Sequence, residues 1–305
     1  SEAQGVSTKL LDYQIALPTP TTPFRIIPAG CIHADTDGFH EGLWKECLTD
    51  IAKPNTYMIG AGDYLDAVRT TARVALNEYR AKGQDKWETQ DAWATRAYED
   101  FYHKYLHGIR EKIICLSQGN HLWEFSSGET SDQYLCRLAG CAYGDKPTFI
   151  RLAVTCKGKH LRTFKILVHH GDWSQGYARM GTDVGAVEKK AEQFDAFDIF
   201  IFSHTHRRFA FPMTPSLDLP IWGELRLVER PRVVIRTGCF TKSYDVKCLK
   251  HYAHRKLLPP TELGYVALTI QFYNEYDKVR YQRRIASHPE QRGQGGASGN
   301  LKYKY

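Results

Sequence analysis

Imidazole, carboxylate, amide and thiol groups recur in this chain at short spacings: Cys31-Ile32-His33, Asp63 with Asp66, Asn120-His121, His169-His170, and His204 with His206. Each set follows closely on an apolar run. One such set is ordinary, because a pair of histidines is more often packed or solvated than ligating. Five sets in order, each behind a predicted strand, crowd charged and imidazole groups at one end of a sheet, and that crowding has to be compensated. Divalent metal ions are the compensation that suits aspartate, histidine and asparagine together. His204 and His206 are two residues apart, so on an extended segment they face the same side and reach neighbouring ions.

The elements that must carry these residues read as an α/β pattern. Residues 24–30 form a short apolar strand that breaks at Gly30, residues 38–53 a helix with Leu43, Trp44, Cys47, Leu48 and Ile51 on one face, and residues 56–61 a second strand that breaks into Gly62-Asp63. Strand, helix, strand with polar residues at both carboxyl ends is the βαβ arrangement of a sheet whose ligands bind beyond the strand ends. Further strands over 112–116, 164–168 and 197–202 lead to Asn120-His121, His169-His170 and Ser203-His204. A hairpin turn at Lys157-Gly158-Lys159 and a helix over 185–194 separate them. Residues 207–230 read as a loop-rich excursion, 232–236 as a strand ending in Thr237-Gly238-Cys239-Phe240, and 264–273 as the last clear strand. Residues 68–112 are polar and helical with an aromatic face (Trp87, Trp93, Tyr98, Phe101, Tyr102, Tyr105), longer than a crossover needs, and read as a helical insertion.

A chain of 305 residues can bury a full core, and one domain over 24–286 is expected. Pro18, Pro20 and Pro23 exclude a regular helix before it, so residues 1–23 read as an extended N-terminal arm, and the Gly-, Gln- and Ser-rich residues 287–305 as a flexible tail. With 42% apolar and 25% charged residues, wholesale disorder is excluded. No stretch approaches twenty uninterrupted apolar residues and the N-terminus lacks a basic segment followed by an apolar one, so no membrane span and a cytoplasmic location are expected. Eight cysteines without a C-x-x-C pair, most of them inside apolar runs, read as reduced core residues, Cys31 apart. The net charge of +7 favours anionic partners such as phosphates or nucleic acid.

In order and type the motifs resemble those of the calcineurin-like metallophosphoesterase family: D-x-H, G-D-x-x-D, G-N-H-[DE], a histidine usually followed by glycine, and G-H-x-H. The matching residues are Cys31-Ile32-His33, Gly62-Asp63-Tyr64-Leu65-Asp66, Gly119-Asn120-His121-Leu122, His170-Gly171 and Ser203-His204-Thr205-His206. The resemblance implies a two-sheet α/β β-sandwich flanked by helices, a dinuclear metal centre and phosphate-ester hydrolysis. It implies that Cys31, His33 and His206 hold one ion, that Asn120, His170 and His204 hold the other, and that Asp63 bridges both. His121 is then the proton donor to the leaving group, with Asp66 orienting its imidazole. Two cations about 4 Å apart lower the pKa of a shared water to give a metal-bound hydroxide and clamp the phosphoryl oxygens for in-line attack. His169 competes with His170, since adjacent strand residues face opposite ways, and the glycine after His170 is what matches the family.

Three departures qualify the resemblance. Cys31 stands where the family usually has aspartate; a thiolate keeps the negative charge but is softer, which favours iron or zinc over manganese or magnesium at that ion. The other reading of Cys31 is an inert buried thiol, with the first ion weakly held or absent. Leu122 replaces the acidic residue common after the Asn-His pair. No arginine directly follows Asp66 and the arginine-glycine pair typical of protein serine/threonine phosphatases is missing, which speaks against a phosphoprotein substrate. Asp172, Trp173 and Arg179 near the fourth motif, and Arg207 and Arg208 after the last, are substrate contacts or plain surface groups. The expected function is a phosphodiesterase that uses two ions (Fe, Zn or Mn) on nucleotide or nucleic-acid substrates; the alternatives are a phosphomonoesterase and a catalytically impaired metal-binding scaffold.

Overall fold

In residues 24–29 both strand faces are apolar, and a strand of that kind has to be covered twice. The computed structural model, which describes residues 10–66, 87–172, 180–218, 228–244, 261–275, 278–288 and 301–302, meets that demand with two mixed sheets stacked face to face and helices outside them. In chain order the elements are β1 (Leu10–Leu17), β2 (Phe24–Ala29), α1 (Glu41–Ala52), β3 (Thr56–Gly60), α2 (Trp87–Phe101), β4 (Ile113–Ser117), α3 (Ser131–Ala139), β5 (Ala142–Gly144), β6 (Thr148–Cys156), β7 (Lys159–His169), α4 (Met180–Glu192), β8 (Ile199–Phe202), β9 (Arg208–Asp218), β10 (Val228–Thr237), β11 (Tyr265–Glu275), β12 (Lys278–His288) and β13 (Leu301–Lys302). One sheet runs β1-β6-β7-β8-β10-β9 and the other β13-β12-β11-β2-β3-β4-β5.

Alternation along each strand divides the core into three layers. Ile26, Ile59, Ile166, Val168, Ile199, Ile201, Val233 and Ile235 meet between the sheets. Their neighbours Ile27 and Met58 turn outward onto Leu43, Trp44, Tyr98 and Leu135 of the helices. On the far side Leu167, Phe200, Phe202 and Val234 turn outward onto Val187 and Ala191 of α4. β2, β3, β4 and β5 are mutually parallel, as are β7, β8 and β10, so each set presents its carboxyl ends together. A Cys31 Sγ···Ser203 Oγ contact of 3.1 Å joins the end of β2 to the end of β8, so the two sets open at a common edge.

Three segments differ from the pattern read in the sequence. Residues 10–17 of the expected arm are a sheet strand, parallel to β6, because Leu11, Ile15 and Leu17 alternate into the core. β7 begins at Lys159, earlier than the apolar run, since a tight turn at Lys157 and Gly158, both in the left-handed region (φ 49° and 78°), pairs it back onto β6. The expected excursion after residue 207 contains β9, antiparallel to β10; Pro212 disguises it, and a proline is tolerated there because β9 is an edge strand. Of the expected helical insertion, residues 87–112 are α2 followed by a π turn (Tyr102–Leu106) and a 3-10 turn (His107–Lys112). Residues 67–86, and most of the expected tail, lie outside the described residues. Among the described residues no helix is long and apolar enough to cross a membrane.

Candidate metal centre

The loops after β2 and β3 are hydrogen-bonded to each other: Cys31 N–H donates to Gly62 O (3.0 Å), Ile32 N–H to Asp63 O (2.8 Å) and Ala34 N–H to Tyr64 O (3.1 Å). That lacing holds the backbone where side chains rarely go. Cys31, His33, Asp63, His204 and His206 have φ of 51°, 47°, 58°, 74° and 56°, five of the seven left-handed non-glycine residues among those described. Each costs about 1–2 kcal/mol against the ordinary conformation, and the surrounding hydrogen bonds hold it in place. Two glycines are required by close approach. A Cβ on Gly62 (φ 88°) would lie 2.5 Å from Gly119 Cα and 2.8 Å from His170 Nδ1, and one on Gly119 would collide with the Asp63 carboxylate.

Asp63 is the buried centre of the cluster. Its Oδ1 accepts from the backbone N–H of Asn120 (2.8 Å) and His121 (3.1 Å), which leaves Oδ2 facing His170 Nε2 at 2.9 Å, His33 Nε2 at 3.9 Å and His121 Nε2 at 4.0 Å. His204 Nδ1 lies 3.0 Å from Asn120 Oδ1 and 3.3 Å from His170 Nε2. The His33 ring lies 5.3 Å from that of His206 and 5.1 Å from that of His121. Ligand atoms fall into groups within 4.8 Å of one another: Cys31, His33 and His206; Cys31, Asp63 and His170; His33, Asp66 and His121. The segment carrying His204 and His206 does not stay extended as the sequence suggested, because Thr205 N–H turns back onto Ser203 O (2.9 Å). The turn still delivers the first ring to His170 and the second to His33.

Two observations show that the residues fit a bound cation. His170 Nδ1 donates to Ala61 O at 2.7 Å, so in the neutral ring Nε2 carries a lone pair aimed at the Asp63 carboxylate; a proton or a metal ion has to stand between them. His33 Nε2 is buried with no hydrogen-bond partner among the described residues. Burial pushes the His33 and His204 imidazoles down to about 4 and His206 well below the usual histidine range, so all three rings are neutral at pH 7. Neighbouring imidazoles, His170 first among them, outweigh burial and hold the Asp63 carboxyl well below the ordinary carboxylate range. Burial raises the Cys31 thiol, although His204 N–H donates to its sulfur at 3.2 Å and the Ser203 hydroxyl lies 3.1 Å from it.

At the solvent edge, His121 Nδ1 contacts Asp66 Oδ1, and Asp66 N–H is itself held by Asp35 Oδ1 at 2.6 Å. The His121 side chain is 30% exposed, against 2% for Asp63, which leaves the ring open to an incoming molecule. Of the two adjacent histidines, His170 is the one buried in the cluster; His169 turns away and accepts from Gly171 N–H at 2.8 Å. Asp172 pairs with Lys146, and Arg207 lies 3.7 Å from Glu262. Trp173 and Arg179 lie outside the described residues.

Supporting residues that sequence reasoning missed stand behind the cluster. Asp132, buried in the first turn of α3, accepts from Gly119 N–H at 2.9 Å, and burial raises its carboxyl to about 7. Arg236 and Asp183 form a buried pair at 2.6 Å beneath Ser203. The only trace of the latter in the sequence is an arginine closing the apolar run Val233-Val234-Ile235.

No family model and no curated protein matches the chain. Among solved structures, it is similar to vacuolar protein sorting 29 from Cryptosporidium parvum, with 11% identity, 87% of this chain and 99% of that one covered, and a TM-score of 0.38. It is also similar to a conserved uncharacterized protein, a predicted phosphoesterase, from Streptococcus pneumoniae, with 12% identity, 92% and 99% covered, and a TM-score of 0.36. The chain resembles the calcineurin-like metallophosphoesterases in five ordered motifs whose side chains gather around Asp63, on a two-sheet α/β fold of the kind that resemblance implies.

Proposed function

We propose that the chain is a metal-dependent phosphoric ester hydrolase with two ions, acting on phosphodiesters of nucleotide or nucleic-acid type. The observation that carries this reading is the convergence of ligand-type atoms from five separate loops on Asp63, with His121 and Asp66 at the exposed edge. Cys31, His33 and His206 would hold one ion, Asn120, His170 and His204 the other, and Asp63 both. When bound, the ions supply Lewis-acid activation of water and of the phosphoryl oxygens. Asp63 gives one oxygen to two backbone N–H groups and keeps the other for cations. The Asp66 carboxylate holds the His121 ring through Nδ1–H and stabilises its protonated form, so Nε2 can hand a proton to the departing oxygen.

Two features support diesters over monoesters. Proton donation matters most for a poor leaving group such as a sugar alkoxide. A monoester dianion asks for more positive charge, and among the described residues near the cluster Arg207 faces Glu262, Arg208 donates to the Leu263 carbonyl and Lys146 faces Asp172. The sulfur of Cys31, once deprotonated, supports iron or zinc at its ion; its burial suits an inert thiol in an impaired scaffold as well. Metal analysis of the purified chain, paired with turnover of bis-p-nitrophenyl phosphate and of p-nitrophenyl phosphate, separates these readings. Two ions with diester turnover are expected. Preference for the monoester would make the chain a monoesterase, and one ion or none with neither ester cleaved would make it the scaffold.

A further inference from the structure

From the geometry behind the cluster we infer that the buried Arg236–Asp183 pair is a positioning device that sets the spacing of His170 and His204, and through it the occupancy of the second ion. The inference rests on the two-ion reading above. Arg236, on β10, has no exposed surface, and neither has the Asp183 carboxylate beyond 1%. Nη2 meets Asp183 Oδ1 at 2.6 Å, Nη1 donates to the Ser203 carbonyl, and the guanidinium lies over the Phe202 ring, 5.8 Å from its centre. The other Asp183 oxygen accepts from the Thr205 hydroxyl at 3.2 Å. Thus the residues on either side of His204 are both tied to one ion pair, which is anchored on α4 and on β10.

The same guanidinium bears on the fourth motif. Gly171 has φ 97°, and a Cβ there would lie 2.7 Å from Arg236 Nη1 and 3.0 Å from Ser203 O. The chain after His170 is thus pressed against Arg236, while Ser203 N–H donates to His170 O at 3.0 Å. One planar cation therefore sits against both backbones that deliver the imidazoles of the second ion, and it explains why glycine must follow His170. A buried ion pair is a poor source of stability, because well-packed apolar residues of similar volume serve as well. A pair whose acceptors are the Ser203 carbonyl and a carboxylate shared with Thr205 is spent instead on holding a geometry.

The test uses the full chain stripped of metal and titrated with zinc(II) by calorimetry, with the melting temperature and far-ultraviolet circular dichroism recorded for each variant. Asp183→Asn keeps the shape and removes the charge; Thr205→Val removes only the hydroxyl tie and decides the matter should Asp183→Asn not fold. Expected for Asp183→Asn is a first binding event close to that of the unmodified chain and a second weakened by about 10–100-fold, and for Thr205→Val a smaller loss, with turnover restored by excess zinc. A purely structural role would lower the melting temperature and weaken both events alike, and that result would overturn the inference. So would two events of wild-type affinity in a folded variant, which leaves the two-ion reading intact. Fewer than two events in the unmodified chain would overturn the two-ion reading itself and this inference with it.

Discussion

Asp63 and His121 share one wall of the cluster, yet substitution separates what they do. His121 touches the Asp63 carboxylate only at 4.0 Å and is engaged at Nδ1 by Asp66. His121→Ala is therefore expected to keep its metals and to lose turnover by about 10²–10⁴-fold on esters with poor leaving groups, with a smaller loss on nitrophenyl esters, which depart without a proton. Metal analysis beside the two rates checks this; a collapse of metal content would show that the ring is a ligand. Cys31 is tested by its replacement. Cys31→Asp, loaded from an equimolar mixture of zinc and manganese, is expected to move at least several-fold towards manganese by elemental analysis, since a carboxylate is the harder ligand. An unchanged metal ratio would mean that the sulfur never meets an ion.

The loop from Gly119 to His121 is held from two sides. Asp63 Oδ1 accepts two of its N–H groups, and Asp132 at the start of α3 accepts the third. α3 is a firm anchor for it: Thr130 and Gln133 form a reciprocal cap, and Gly140 closes the helix in the left-handed conformation. Asp132→Ala strips the buried Gly119 N–H of that acceptor, so a loss of about 1–3 kcal/mol in chemical denaturation is expected. Gly119→Ala should cost stability and function together, because the added methyl would lie 2.2 Å from Asp63 Oδ1 and 2.3 Å from the Asp63 backbone nitrogen. Loss of metal from a Gly119→Ala chain that still folds is the expected measurement, and full metal occupancy would refute the crowding argument.

Charge burial links the whole fold to pH. Burial holds His33, His169 and His204 near 4 and His206 well below the usual histidine range, whereas an unfolded chain protonates its histidines near 6.5. Between those values the unfolded state binds protons that the fold refuses, so stability is at full strength above about 6.5 and falls as pH drops towards 4. Asp132 works against this: raised to about 7, it keeps a proton that the unfolded chain has released, and its contribution falls as pH rises across the same range. Four imidazoles outweigh one carboxyl. The melting temperature of the metal-stripped chain is expected to fall between pH 7 and pH 5, and a flat profile would contradict the burial of these rings. At a metal concentration 100-fold above the dissociation constant, binding adds about 2.7 kcal/mol, which the same melting experiment reads.

The residues of ligand type and their order along the chain were legible in the sequence, because a buried strand announces itself as an apolar run and its end is where the polar residues begin. The βαβ start and the helices facing the sheets were legible for the same reason, since apolar spacing records which face is covered. β9 was not, because an edge strand tolerates Pro212 and loses the signal that marks an inner one. Only the tertiary structure decided that His170 and not His169 enters the cluster, and that five ligand-type residues take left-handed backbones. The Arg236–Asp183 pair belongs to the same class: its members are 53 residues apart, and nothing local in either segment requires the other. Local pattern records what each segment buries, whereas the partner across the molecule is chosen by packing between segments distant in sequence.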